Sequence, residues 1–281
     1  TIGSILLFLP FSSKNLNFTN FLDCVFISTS SVCVTGLSTI NITNEFNFFG
    51  KTVIMLLIQM GGLGFMTMAT MVAMILGEKI TLKDRLVIRE QMGSTKLSGM
   101  VKLIRYVIFS TFLIEGLGAI LLSFTFVPKF GLKGIFYSIF HSISAFCNAG
   151  FDLMGDISKF SSLTKYQSDI MINITIMLLI LIGGLVFLIW KDIFDYRFDI
   201  KRYSTQTKIV LTMTSVLVLF PSILFFFTEF SGLDIKTRVL SSLFQAVTPR
   251  TAGFNTIDYT KFSDNGIAMT VILMLIGGGS G

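Results

Sequence analysis

The sequence is short of charge: Asp, Glu, Lys and Arg make up 14% of its 281 residues, where an ordinary soluble domain carries about 25%. With 52% hydrophobic residues and a mean hydropathy of +0.78, that shortage excludes a water-soluble domain and makes lipid the main solvent. Histidine is almost missing. His141 stands alone, without a cysteine or carboxylate in a shared motif, and neither HExxH nor GxSxG occurs. A membrane-embedded enzyme needs a cluster of titratable residues at depth, so no enzymatic activity and no organic cofactor are expected. Three cysteines, Cys24, Cys33 and Cys147, form neither an even set nor a CxxC pair. That argues against a disulfide framework or a zinc site and for isolated buried thiols. Thr1–Pro10 also lacks the basic start and small-residue cleavage site of a signal peptide.

Long apolar runs stand in place of charge. About 20 apolar residues cross a bilayer, and runs of that order occupy 47–77, 102–128, 168–190 and 208–228. The opening GSILLFLP and the closing IAMTVILMLIGGGSG read as pieces of further spans, so the chain is expected to be a fragment. Charge gathers in the loops 78–101 and 191–207 and their flanks. Residues 78–105 hold seven basic and three acidic side chains, net +4, and residues 191–208 hold five and three, net +2, which together make the whole formal +6. The positive-inside rule puts both loops in the cytoplasm of a multi-pass protein in the cell (inner or plasma) membrane. The basic balance therefore reports topology, and no nucleic-acid partner is expected.

An internal repeat organises the chain. FISTSSVCVTGLS (26–38), FHSISAFCNAGFD (140–152) and LFQAVTPRTAGFN (243–255) align without gaps on Gly36, Gly150 and Gly253. A small residue precedes each glycine (Thr35, Ala149, Ala252) and an apolar one follows (Leu37, Phe151, Phe254). Each word follows a short amphipathic stretch and precedes a long apolar run with a glycine cluster: QMGGLGF (59–65), LIGGLVF (181–187) and LIGGGSG (275–281). Three units result. The first is 1–77, with half-length helix 18–32, turn 33–38 and span 47–77. The second is 102–190, with span 102–128, half-length helix 132–147, turn 147–152 and span 168–190. The third is 208–281, with span 208–228, half-length helix 236–248, turn 249–255 and the start of a broken span, 265–281.

At 1.5 Å per residue the half-length helices cover roughly 20–24 Å, short of the roughly 30 Å hydrocarbon core, so they must enter and return on one side. Non-helical backbone at membrane depth is tolerated where protein buries it or where it lines a watery path. Several such turns brought together predict a pore. Glycine supplies the positive φ that aims successive carbonyls one way, and the missing Cβ allows close approach. Rings of carbonyl oxygens can replace the hydration shell of a potassium ion, and helix C-termini pointing at the turns favour a cation.

Several residues admit two readings. Arg250 is either a structural or electrostatic group at the outer mouth or a satisfied surface arginine. His141 is either packed within its half-length helix or a proton sensor. Glu115, in mid-span, is either functional or hydrogen-bonded to a neighbouring helix. The glycines of QMGGLGF and LIGGLVF read as small-residue helix contacts. A scaffold whose turns no longer conduct is the alternative to a transporter.

SSVCVTGLS, SAFCNAGFD and VTPRTAGFN, each followed by a glycine-clustered span, resemble the Trk/Ktr/HKT superfamily of potassium transporters, most closely the bacterial Ktr/Trk membrane (pore) subunit. The resemblance implies an all-α polytopic fold of span–pore helix–span units around a pseudo-fourfold, potassium-channel-like pore, with the fourth unit missing from this chain. It implies a potassium selectivity filter at Val34, Thr35 and Gly36, at Asn148, Ala149 and Gly150, and at Thr251, Ala252 and Gly253, supported by Cys33, Cys147 and Arg250. It also implies an intramembrane gate beginning at Gly277, Gly278, Gly279, Ser280 and Gly281, sodium dependence, a homodimer, and a separate cytosolic nucleotide-binding ring subunit for regulation.

Overall fold

The computed structural model describes residues 2–64, 67–68, 70–71, 100–156, 162–185, 187–196 and 199–278. Among the described residues the regular structure is helical, apart from one isolated antiparallel bridge between Ser13 and Phe46. The α-helices are α1 (Ile2–Phe8), α2 (Phe21–Val32), α3 (Ile42–Glu45), α4 (Phe48–Leu63), α5 (Met100–Phe130), α6 (Leu132–Phe146), α7 (Ile170–Gly183), α8 (Phe187–Tyr196), α9 (Thr205–Thr228), α10 (Ile235–Thr251) and α11 (Asp264–Ile276).

Polar caps start most of them. The side chains of Asn20, Asn47, Asp169, Ser204, Asp234 and Ser263 accept backbone N–H groups of the first turns of α2, α4, α7, α9, α10 and α11. α5 and α9 are long and apolar enough to cross a bilayer, and α9 turns Ile209, Met213, Val216, Phe220 and Phe227 outward. Such a face suits lipid better than water. α2, α6 and α10, with 12, 15 and 17 residues, reach roughly 18, 22 and 26 Å, too short to cross.

The helices pack in three trios: α1, α2 and α4; α5, α6 and α7; α9, α10 and α11. Each of the first two trios leans on the next, through α4 against α6 and α7 against α10. Phe126, Phe140, Phe151 and Phe254 fill the core between them, with His141 stacked among Phe126, Phe140 and Phe254. Tyr137 O lies 2.7 Å from His141 Nδ1, and Leu153 N donates to Nε2 at 3.3 Å. Both ring nitrogens are thereby engaged by backbone groups, as in a packed neutral histidine.

The expected spans differ from the observed helices at the glycine clusters. The 47–77 run is interrupted where α4 ends at Leu63 with Gly64 at φ 80°, and helix resumes at 67–68 and 70–71. The 168–190 run is interrupted at Gly184 and Leu185, after which α8 carries helix to Tyr196, inside the segment read as loop 191–207. α11 stops before Gly277 at φ 71°. A break was expected only in the third span, yet the first two clusters also interrupt their helices, because glycine costs a helix about 1 kcal/mol and releases φ. α10 also differs: it passes through Pro249 and ends at Thr251, beyond the expected 236–248. Proline forfeits its own N–H bond, and the helix carries on for two residues beyond it. Most of the loop 78–101 lies outside the described residues.

Candidate ion-path site at the three glycine turns

In the first turn α2 ends at Val32, and Cys33 still donates its N–H to Thr29 O at 2.8 Å. Val34 takes φ 56°, Thr35 N donates to Ser30 O at 2.9 Å, and Gly36 takes φ 74°. The second turn repeats these steps. Cys147 N donates to Ile143 O at 2.9 Å, Asn148 has φ 58°, Ala149 N donates to Ser144 O at 2.8 Å, and Gly150 has φ 70°. The third turn omits the left-handed residue before its small one: Thr251 is still helical, Ala252 N and Gly253 N both donate to Thr248 O at 3.0 Å, and Gly253 has φ 74°. A β-branched residue such as Val34 at positive φ costs about 1–3 kcal/mol and persists where the surroundings fix it.

A hydroxyl clamp recurs in all three turns. Ser30 Oγ donates to Leu37 O at 2.7 Å, Ser144 Oγ to Phe151 O at 2.7 Å, and Thr248 Oγ1 to Phe254 O at 2.6 Å. In each case the half-length helix holds the carbonyl just after the glycine. Sequence reasoning missed these residues. Ser30 and Ser144 share a register in the alignment, but Thr248 is displaced by one because the third turn lacks the left-handed residue.

The turns meet side by side. A side chain on Gly36 would overlap the Ala149 carbonyl oxygen, and one on Gly150 would overlap the Ala252 carbonyl oxygen, so the first turn abuts the second and the second abuts the third. On Gly253 a Cβ would meet no described atom within 4 Å. With its amide oriented to suit its neighbours, Asn148 donates to Thr251 Oγ1 and Ile180 O, both at 3.2 Å, and accepts from Gly184 N at 3.1 Å. That side chain ties the second turn to the third and to the break after α7. Beyond the turns, Asn41 Nδ2 donates to Gly155 O at 3.3 Å and Asn255 N to Ser162 Oγ at 3.1 Å.

The glycine clusters sit under the ends of the half-length helices. Side chains would overlap Val32 O at Gly61, Cys147 Sγ at Gly62 and Phe146 O at Gly183. Contact and helix interruption thus coexist there. In the third trio the place of that contact is taken by Arg250, 8% exposed, whose Nε donates to Gly277 O at 3.0 Å. Arg250 therefore lies at the C-terminal end of α10, against the end of α11. The Gly277 carbonyl lies just past the end of α11, where carbonyls lose their helical partners, and it offers a buried guanidinium its acceptor. Gly278 packs on the Thr251 methyl, and a cavity of about 10 Å³, room for roughly one water, lies among Ile180, Gly184, Thr214, Arg250, Thr251 and Gly278. Cys33 is exposed and Cys147 buried. Gly279, Ser280 and Gly281 lie outside the described residues.

Among the described residues no group of three or more His, Cys, Asp or Glu side chains could hold a metal. The polar groups at the turns are main-chain carbonyls and hydroxyls, at the C-termini of three helices. Oxygens of this kind suit a weakly held monovalent cation.

Residues 2–281 match the model of the TrkH cation transport protein family. The chain is 41% identical over 285 residues to the "Potassium/sodium uptake protein NtpJ" of Enterococcus hirae and 40% identical over 287 residues to the "Ktr system potassium uptake protein B" of Bacillus subtilis. Each alignment covers 99% of this chain and 62% of the relative, so the chain spans about three fifths of the length of these proteins. The crystal structure of the potassium transporter TrkH from Vibrio parahaemolyticus superimposes with a TM-score of 0.67 at 20% identity, over 98% of this chain and 56% of that one. The relatives are named for uptake and none as an enzyme. The turns, the broken helices and the match along the whole length lead to one conclusion: the chain belongs to the TrkH family of cation transport proteins.

Proposed function

We propose that the chain forms the larger part of a pore that takes potassium into the cell, with a filter lined by Val34–Gly36, Asn148–Gly150 and Thr251–Gly253. The observation that carries this reading is the contact of Gly36 with the Ala149 carbonyl and of Gly150 with the Ala252 carbonyl. That contact supports a reading in which the three helix-end turns stand in one ring that a fourth unit closes beside Gly253. Carbonyls so gathered replace the water around a dehydrated cation, and the cation moves inward down the membrane potential. The basic loops then face the cytoplasm of a multi-pass protein in the cell membrane. Gly277 and Gly278, with the residues that follow, form a gate below the filter, held by Arg250. Sodium dependence, a homodimer and a cytosolic nucleotide-binding ring complete the reading. The relatives named for potassium and sodium uptake and for a Ktr system support it.

The test is potassium uptake by the complete gene in cells lacking their own uptake systems. Growth at low potassium is expected, and Gly36→Ser or Gly253→Ser is expected to change the preference for potassium over sodium. Unchanged selectivity in both variants removes the filter assignment, and failure of the native gene to restore growth removes the function.

A further inference from the structure

Behind the second turn lies a buried polar pair that the ion path does not use. Glu115 of α5 and Gln59 of α4 are each 4% exposed. Gln59 Nε2 stands 3.0 Å from Glu115 Oε1 and 3.1 Å from Oε2, while Gln59 Oε1 is buried without a partner. Ser142 of α6 donates its hydroxyl to the main-chain carbonyl of Glu115 at 2.6 Å, so the α5 backbone that carries the pair is tied to the half-length helix of the second turn.

No described cation compensates this carboxyl. On α6, His141 is engaged at both nitrogens elsewhere, and Cys147, whose sulfur lies against Gly62, is a neutral or negative neighbour. α7 carries no titratable residue. The charged residue of α4, Lys51, is eight residues from Gln59, about 12 Å along the helix. On α5 itself, Arg105 is ten residues away and Lys129 fourteen, about 15 and 21 Å. An ionised carboxylate at this depth would be strongly unfavourable. It would also offer no donor to the orphaned amide oxygen.

We propose that Glu115 is carried as the neutral acid, its O–H donated to Gln59 Oε1 and the C=O oxygen of its carboxyl accepting from Gln59 Nε2, a proton-bearing clasp that positions the second turn. A small rotation of the two end groups completes this cyclic pair and gives the unpartnered Oε1 its donor. Glu115 is thus a positioning residue acting through Ser142 and α6. No proton is exchanged during transport, and no ion is bound at the pair.

The experiment is infrared spectroscopy of the complete protein in lipid at neutral pH, native against Glu115→Gln, in H₂O and D₂O. The native spectrum is expected to show a protonated-carboxyl C=O band that shifts in D₂O and is missing from Glu115→Gln. The variant keeps uptake within about twofold, because a second amide can make the same two hydrogen bonds. In Gln59→Leu the band is expected to move to the frequency of an unpaired acid. Carboxylate bands at this position in the native protein overturn the proposal. If those bands respond to sodium or potassium, the pair is a cation site instead. A C=O band left in place by Gln59→Leu also overturns it. The spectra report on Glu115 whether or not the chain conducts, so this result and that of the uptake test are separable.

Discussion

The first two turns and the third reach the same glycine conformation by different local chemistry. In the first two, a left-handed Val34 or Asn148 ends the helix and a serine clamps the carbonyl beyond the glycine. In the third, α10 runs on through Pro249, a threonine one position nearer the glycine clamps instead, and Arg250 reaches the break after α11. The glycines of the first two turns are wedged against neighbouring carbonyls, whereas that of the third is open. The difference shows that two turns are built for close packing against a neighbouring turn. The third also grips the segment below it.

Alanine at each glycine is expected to have the largest effect. Gly36→Ala and Gly150→Ala combine positive φ with overlap on a backbone oxygen, so loss of more than about a hundredfold in uptake is expected. Gly253→Ala bears the φ cost alone, about 1–2 kcal/mol, or roughly tenfold. Uptake rates of the complete protein rank the three, and equal losses would erase the distinction.

Next in size is Arg250→Met, which removes a charge-assisted bond of about 1.5–3 kcal/mol. A lower Tm and faster, less regulated uptake are expected, while Val32→Met at the end of α2 leaves both unchanged. The clamps follow. Ser144→Ala and Thr248→Val should each cost about 0.5–1.5 kcal/mol by thermal unfolding, in equal measure if the one-residue displacement is compensated by the longer helix.

The smallest effect is expected at the N-terminal end of α10. Asp234 caps that helix, and hydrogen bonds from Thr237 hold its carboxyl below the usual aspartate range. A depressed pKa contributes stability above the ordinary aspartate pKa of about 3.9. That contribution fades as pH falls through the lower folded value. Asp234→Asn should keep most of the cap and flatten this acid limb of a Tm-against-pH curve.

Much of this was legible in residues. The half-length helices follow from their length between polar stretches, and Gly36, Gly150 and Gly253 from a repeat that needs no gaps. Thr248 was hidden because the gapless alignment sets Val247, not Thr248, opposite Ser30 and Ser144. The breaks at Gly64 and Gly184 escaped because an apolar run reads as one span whether or not glycine interrupts it. The bond from Arg250 to the Gly277 carbonyl was not legible, because a motif shows adjacency to a glycine but not which distant segment a long side chain reaches. Asn148 linking the second turn to Thr251 and Gly184 depends on three segments far apart in sequence, and no local pattern reports that.

If the three turns together hold a dehydrated potassium ion, the thermal stability of the complete protein must depend on which cation is present. Potassium is expected to raise Tm well above the value in an equal concentration of sodium, as a ligand bound to the native state must, and Gly150→Ala is expected to abolish that difference. A Tm indifferent to the choice of cation, or a potassium effect that survives Gly150→Ala, would contradict it.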